Sequence, residues 1–355
     1  MWKLLLGILS FWMSIKITPK KIVHYLEQTR HSERNNLAFV TPQTVRASCV
    51  QLTNRRYNSL SDYLDEMLAR TKSAVDAGAH LVVFPAYTGL LAGTILPCYE
   101  RILHWATGGK IPADLELIKL DSNRITALAE AFHHFIYEAY MYTFSTIARI
   151  QHVYIVAGTS LFYEQGKLYH RCVVFGPDGE PVGAQDKTSP IGFDRALGVT
   201  PSDQIEVIPT PMGNLGIVIG SDAYYFECFK IASAKGAQLI AVPDAKGGIM
   251  HDLLRCRASE NGVYALYSCL AQAPGNLASC AGIYAPMSIT HQRDGIIARA
   301  ADSSMDVLTY RINLQKLDSV LREPSPNRSF LTEDYLRSYR YCGSLPIVEP
   351  ATPLE

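Results

Sequence analysis

The chain has 355 residues, enough for one large α/β unit or two ordinary domains with a substantial core. Apolar residues make up 48% and charged residues 19%, below the roughly 25% usual in soluble domains, so the surface is charge-poor and some of it is expected to be covered by another subunit. Lys plus Arg (33) balances Asp plus Glu (33) without a run of like charge, which excludes the basic footprint of a nucleic-acid binder.

The stretch Leu4 to Ile15 is apolar apart from Ser10 and Ser14 and is flanked by Lys3, Lys16, Lys20 and Lys21. It falls short of the ~20 residues of a spanning helix, and no small-x-small cleavage site follows it. Trp2, Phe11 and Trp12 beside lysines suit a helix that lies on a membrane surface through residues 2–17 or docks on protein, with a cleaved signal as a third option. Glu27 to Asn36 is polar and aperiodic and reads as a linker, so residues 1–36 form a hydrophobic helix with its linker.

Regular structure is expected from Thr44. Val45–Leu52 reads as a strand and Ser59–Ala77 as a helix stopped at Gly78, with Leu60, Leu64, Met67, Leu68, Ala74 and Val75 at helical spacing. His80–Phe84 is the next strand. A long helix over Ile125–Ile147 precedes strands at Val153–Ala157 and Tyr169–Phe175, the latter running into the turn Pro177-Asp178-Gly179. Buried strands follow at Leu215–Ile219 and Leu239–Val242 around the helix Phe226–Lys235, then a helix near Arg255–Gly262 and a strand at Tyr264–Ser268. Such alternation means helices layered on sheets. Residues 319–355, with REPSPNRS and LPIVEPATPLE, are Pro-rich and read as an extension without its own core.

The eight cysteines, Cys49, Cys98, Cys172, Cys228, Cys256, Cys269, Cys280 and Cys342, show neither CxxC pairs nor regular spacing. That argues against a zinc site and a disulfide framework and for reduced thiols in the cytoplasm, with no metal or cofactor. His133-His134 offers no metal pair, since adjacent helical residues point about 100° apart.

In order along the chain, GAHLVVFPAYTG, YIVAGTS, YHRCVVFGPDGEPVGAQDKTSP, GNLGIVIGSDAYYFE, KGAQLIAVPDA, RCRASENGVYAL and HQRDGIIA resemble the nitrilase superfamily of carbon–nitrogen hydrolases, from about residue 44 to residue 318. The resemblance implies a four-layer αββα sandwich that pairs through its helical faces, and hydrolysis of amides or nitriles by a Glu–Lys–Cys triad. In that chemistry a thiolate attacks carbon, a carboxylate moves protons and a lysine steadies developing negative charge.

Matched position by position, the family's glutamate becomes Ala86 in VVFPA, its lysine is kept as Lys187 in QDKTSP, and its cysteine becomes Gly220 in GIVIGSD. Asp194 in PIGFDRALG stands near the family's second carboxylate. Ser221 and Cys228 are substitute nucleophiles to weigh, and Glu100 and Glu138 substitute bases, each against an ordinary structural reading. Lys187, lacking a glutamate at position 86, needs Asp194, Asp222, Glu260 or water as partner. Asp222 and Glu260 match framework positions, and Tyr87, Tyr224 and Tyr225 adjoin the altered ones as pocket-lining candidates. The leading expectation is a pseudoenzyme acting by binding a small amide-like ligand or a protein partner, as a homodimer or paired with a related protein. The alternative is a divergent hydrolase of non-peptide C–N bonds using Lys187 with Ser221.

Overall fold

The computed structural model describes residues 2–29, 35–109, 120–245, 248–271, 280–301 and 307–322. Two N-terminal helices, α1 (Trp2–Lys16) and α2 (Pro19–Glu27), are separated by Thr18, whose side chain accepts from the Lys21 amide while Pro19 opens α2. Then follow β1 (Val45–Thr53), α3 (Leu60–Asp76), β2 (Leu81–Val83), short helices α4 (Thr88–Leu91) and α5 (Tyr99–Ala106), and the 30-residue α6 (Ser122–Gln151). Strands β3 (Tyr154–Val156), β4 (Ser160–Glu164), β5 (Lys167–Phe175) and β6 (Pro181–Asp186) complete the first half. The second half holds α7 (Gly192–Leu197), β7 (Val207–Ile208), β8 (Leu215–Ile217), α8 (Phe226–Ala234), β9 (Leu239–Asp244), α9 (Met250–Asn261) and β10 (Tyr264–Ala271). It ends with β11 (Gly282–Tyr284), β12 (Ile296–Arg299), β13 (Val307–Ile312) and α10 (Gln315–Arg322).

One sheet runs β6-β5-β3-β2-β1-β13, with β4 also on β5; the other runs β12-β11-β10-β9-β8-β7. β1 belongs to both. It pairs antiparallel with β13 from Val45↔Ile312 to Val50↔Val307, then parallel with β10 from Gln51↔Cys269 to Thr53↔Ala271. Period-two alternation sends Val45, Ala47 and Cys49 into a core between the sheets, and Val50 and Leu52 into a second core beneath α3 and α6. A third core lies between the other sheet and α8 and α9, built on Phe229, Val242, Leu254 and Tyr267. Three apolar cores between four layers make the αββα sandwich expected from the sequence.

The helices begin where local chemistry allows. Ser59 caps α3 by accepting from the Asp62 amide, and Asp121 caps α6 through the amides of Asn123 and Arg124. Strands β4, β6 and β11 to β13 and helix α2 escape a reading by hydrophobic runs. They are short or half exposed, and their register comes from neighbours such as the β5–β6 hairpin turning at Gly179 (φ 87°).

The N-terminal helix corrects one expectation. Leu6, Leu9, Met13 and the following Ile17 are buried in the core that α6 shares, while Leu4, Ile8, Phe11 and Ile15 line the exposed side. Fifteen residues reach only about 22 Å against the ~30 Å of a bilayer core. No helix among the described residues is long and apolar enough to cross a membrane. The expected membrane contact through residues 2–17, and the membrane-associated location that rested on it, are overturned: of the alternatives read from the sequence, α1 is the helix docked on protein. The Pro-rich extension lies outside the described residues from 323 onward.

Candidate functional site

Four chain segments leave the carboxyl ends of β2, β6, β8 and β9 and converge on one buried ammonium. Lys187, 3% exposed, follows β6; its Nζ donates to the Ile219 carbonyl at 3.1 Å and lies 3.2 Å from Asp194 Oδ2. Asp194, in α7, is 4% exposed. Its other oxygen accepts from the Tyr87 hydroxyl at 2.6 Å and lies 3.0 Å from His170 Nδ1, close enough for an ion pair although off the ring N–H direction. Burial pushes the Asp194 carboxyl upward, but the charges of His170 and Lys187 and the Tyr87 hydroxyl outweigh it and hold the group well below the usual carboxylate range.

The loop after β2 is fixed from β3 and β4. Phe84 donates to the Val156 carbonyl, Gly89 to the Thr159 carbonyl, and the Tyr87 amide to Thr159 Oγ1 at 2.7 Å. Gly158 (φ 66°) makes this approach possible, since a Cβ there would sit 2.0 Å from the Pro85 oxygen. Tyr87 adopts φ 60°, strained for a side-chain-bearing residue, and stacks on His170 at 4.5 Å. Thr159 Oγ1, which accepts from the Tyr87 amide, also lies 2.5 Å from His170 Nε2 and ties the ring to the loop after β2. Burial, with the carboxylates of Asp194 and Asp244 nearby, raises the Tyr87 hydroxyl well above its ordinary value, so it stays a donor.

Opposite Tyr87 is Gly220, first residue of a 3₁₀ turn through Tyr224, with φ 50°. A Cβ at this position would lie 3.7 Å from Lys187 Nζ and 3.0 Å from Asp244 Oδ1. Gly220, expected from the sequence beside Lys187, thus faces it without a side chain of its own. Asp244, 6% exposed at the end of β9, accepts from the Tyr267 hydroxyl at 2.9 Å, and its backbone carbonyl accepts from the Ala86 amide at 3.1 Å. Ala86 is likewise buried and presents only a methyl group. Replacing Gly220 by Ala is expected to destabilise the chain by about 1–3 kcal/mol, because a left-handed backbone must then carry a Cβ pressed on Asp244; a urea midpoint equal to that of the parent chain would refute this account.

Asp222 frames the lysine by accepting from the amides of Thr188 and Ser189, each at 2.8 Å. Glu260 is engaged elsewhere, with Arg257 at 3.0 Å. Among the described residues, no hydrogen bond of the lysine network involves Ser221. Tyr224 packs against the third core, and Tyr225, 41% exposed, lines a separate groove with Thr188 and Cys228. Burial raises the Cys228 thiol, whose sulfur lies 3.4 Å from Thr188 Oγ1. Glu100 lines a groove beside Arg101 and Trp105, and Glu138 pairs with His134 at 3.3 Å on α6. His133 Nδ1 bonds the Ala129 carbonyl. Among the described residues no group of three or more His, Cys, Asp or Glu is placed to hold a metal ion.

Sequence reasoning passed over His170, Thr159, Tyr267 and Asp244. Asp244 carried a usable signal: a carboxylate closing the apolar run LIAVPD has to find partners when the strand is buried. His170, inside a strand of mixed character, carried none.

The carbon–nitrogen hydrolase family model matches residues 46–322. The omega-amidase NIT2-A of Xenopus laevis is 30% identical over 197 residues, 52% of this chain and 70% of its own length. That of Xenopus tropicalis is 32% identical over 133 residues, 34% of this chain, so the match spans about half (48%) of that relative. The probable hydrolase YhcX of Bacillus subtilis is 29% identical over 80% of this chain and 55% of its own. Among solved structures, a carbon–nitrogen hydrolase from Helicobacter pylori superposes with a TM-score of 0.58 at 18% identity, covering 84% of this chain and 96% of that one. Saccharomyces cerevisiae Nit3, of the nitrilase superfamily, gives 0.57 at 18% identity over 81% and 97%. At such identity the likeness is one of fold.

Proposed function

The chain belongs to the carbon–nitrogen hydrolase family, and from that premise we propose that it is a member that binds a small primary amide without cleaving it. The observation carrying this reading is Gly220: the position facing Lys187 supplies no atom that could attack a carbonyl carbon. Ala86 supplies no proton acceptor. What remains matches an amide's two ends. An ammonium has three donors, and the Ile219 carbonyl and Asp194 take two of those on Lys187, so the third suits a ligand carbonyl oxygen. Asp244 Oδ1, beside the Gly220 position, is a carboxylate oxygen with lone pairs suited to an amide N–H. The relatives named omega-amidase support an amide as the ligand class.

Ammonia release from a panel of amides and nitriles tests the reading, comparing the chain with its Lys187→Ala variant and recording intact mass for covalent adducts. The expected result is no turnover and no adduct from either, with saturable amide binding that the variant loses. Lys187-dependent turnover with an adduct on Ser221 would instead establish the divergent hydrolase.

A further inference from the structure

At the far edge of the first sheet, Arg46 on β1 and Arg311 on β13 are directly opposed in the antiparallel register and both exposed. Like charges placed so repel, and nothing in the packing of an exposed sheet edge demands them. A third cation, exposed Lys316 in the first turn of α10, lines the same groove, whose volume is about 520 Å³. Its remaining lining is neutral, including Gln43, Thr309 and Asn313, and no carboxylate is part of it. None of the three cations forms an ion pair among the described residues; Asp318, on α10, lies outside the groove.

The guanidinium groups are placed rather than loose. Arg311 Nε donates to the Gln43 carbonyl at 3.1 Å, which leaves its terminal nitrogens for another acceptor. Arg46 lies across Gly78, where a Cβ would stand 2.3 Å from Nη1, so the missing side chain makes room for the guanidinium at the end of α3. The carbonyls of that helix end offset part of the Arg46 charge, and none of that offset reaches Arg311 or Lys316. The neighbouring His80 is held below its ordinary value first by burial and then by the Arg46 charge.

We propose that Arg46, Arg311 and Lys316 form a binding site for the phosphate group of a small phosphorylated molecule, separate from the surroundings of Lys187. Two guanidinium forks and an ammonium around a groove of this size match a dianion with three acceptor oxygens. Titration calorimetry of the full chain with sodium pyrophosphate and with inorganic phosphate, at fixed ionic strength, tests it beside Arg46→Gln, Arg311→Gln and, as a control outside the groove, Lys167→Gln.

Saturable binding is expected for the parent chain and the control, weakened about tenfold or more by either arginine replacement. Because each replacement removes like-charge repulsion, the anion-free melting temperature of Arg311→Gln should equal or exceed that of the parent. A purely structural role for the arginine would lower it. Binding that survives in the double variant, malonate binding where phosphate does not, or no saturable binding at all would each overturn the proposal.

Discussion

Replacing Asp194 by Asn is expected to lower the unfolding free energy by about 3–5 kcal/mol, because the Lys187 ammonium would then remain buried without its carboxylate. The loss is larger than a deleted hydrogen bond because desolvation of Lys187 is unaltered while the Coulomb attraction that offset it disappears. Removing both charges, as Asp194→Asn with Lys187→Met, should recover most of it. A double-mutant cycle by urea unfolding reads the coupling directly, and additive single effects would refute the pair as described. The sign with pH follows from the depressed carboxyl: its contribution is complete above the unfolded-state value near 3.9 and is lost as pH falls below it.

His251 should govern a second and separate pH window. On α9, it is 6% exposed, its Nδ1 pairs with the Tyr284 hydroxyl, and its Nε2 has no partner among the described residues. Burial first, and then the charge of Arg299, push it down to about 4, against the smaller opposing effect of Asp252. The folded ring therefore stays neutral at a pH where the unfolded chain takes up a proton. Stability is complete above about 6.5 and is lost as pH falls toward about 4, by about 3 kcal/mol in all. Urea midpoints at pH 7.5 and 4.5 are expected to show most of this loss in the parent chain and little of it in His251→Gln. Equal losses in the two proteins would remove His251 as the source.

Apolar runs such as LVVF and LIAV, spaced by helices with an apolar stripe, foretold the layers, because burying those runs from both faces leaves few other arrangements. Lys187, Ala86 and Gly220, singled out by the order of the motifs, each follow a strand end of the sandwich, and Asp244 borders both the Ala86 amide and the Gly220 position beside Lys187. Asp194 is likewise where Lys187 needs it. What could not be read was the backbone conformation at these positions. Gly220 sits close against Asp244, and Tyr87, like Gly220, adopts a left-handed backbone that no hydrophobic pattern encodes. Contacts between residues far apart in sequence, such as His170 with Thr159 and Asp194, likewise leave no periodic trace.

The strand shared by both sheets limits how the sandwich can open. Since β1 is hydrogen-bonded to β2 and β13 over its first half and to β10 over its second, the two leaves are stitched along a spine and cannot part like the covers of a book. Any opening beside Lys187 has therefore to come from the short segments that follow β2, β6 and β8, a local rearrangement that leaves the sandwich intact.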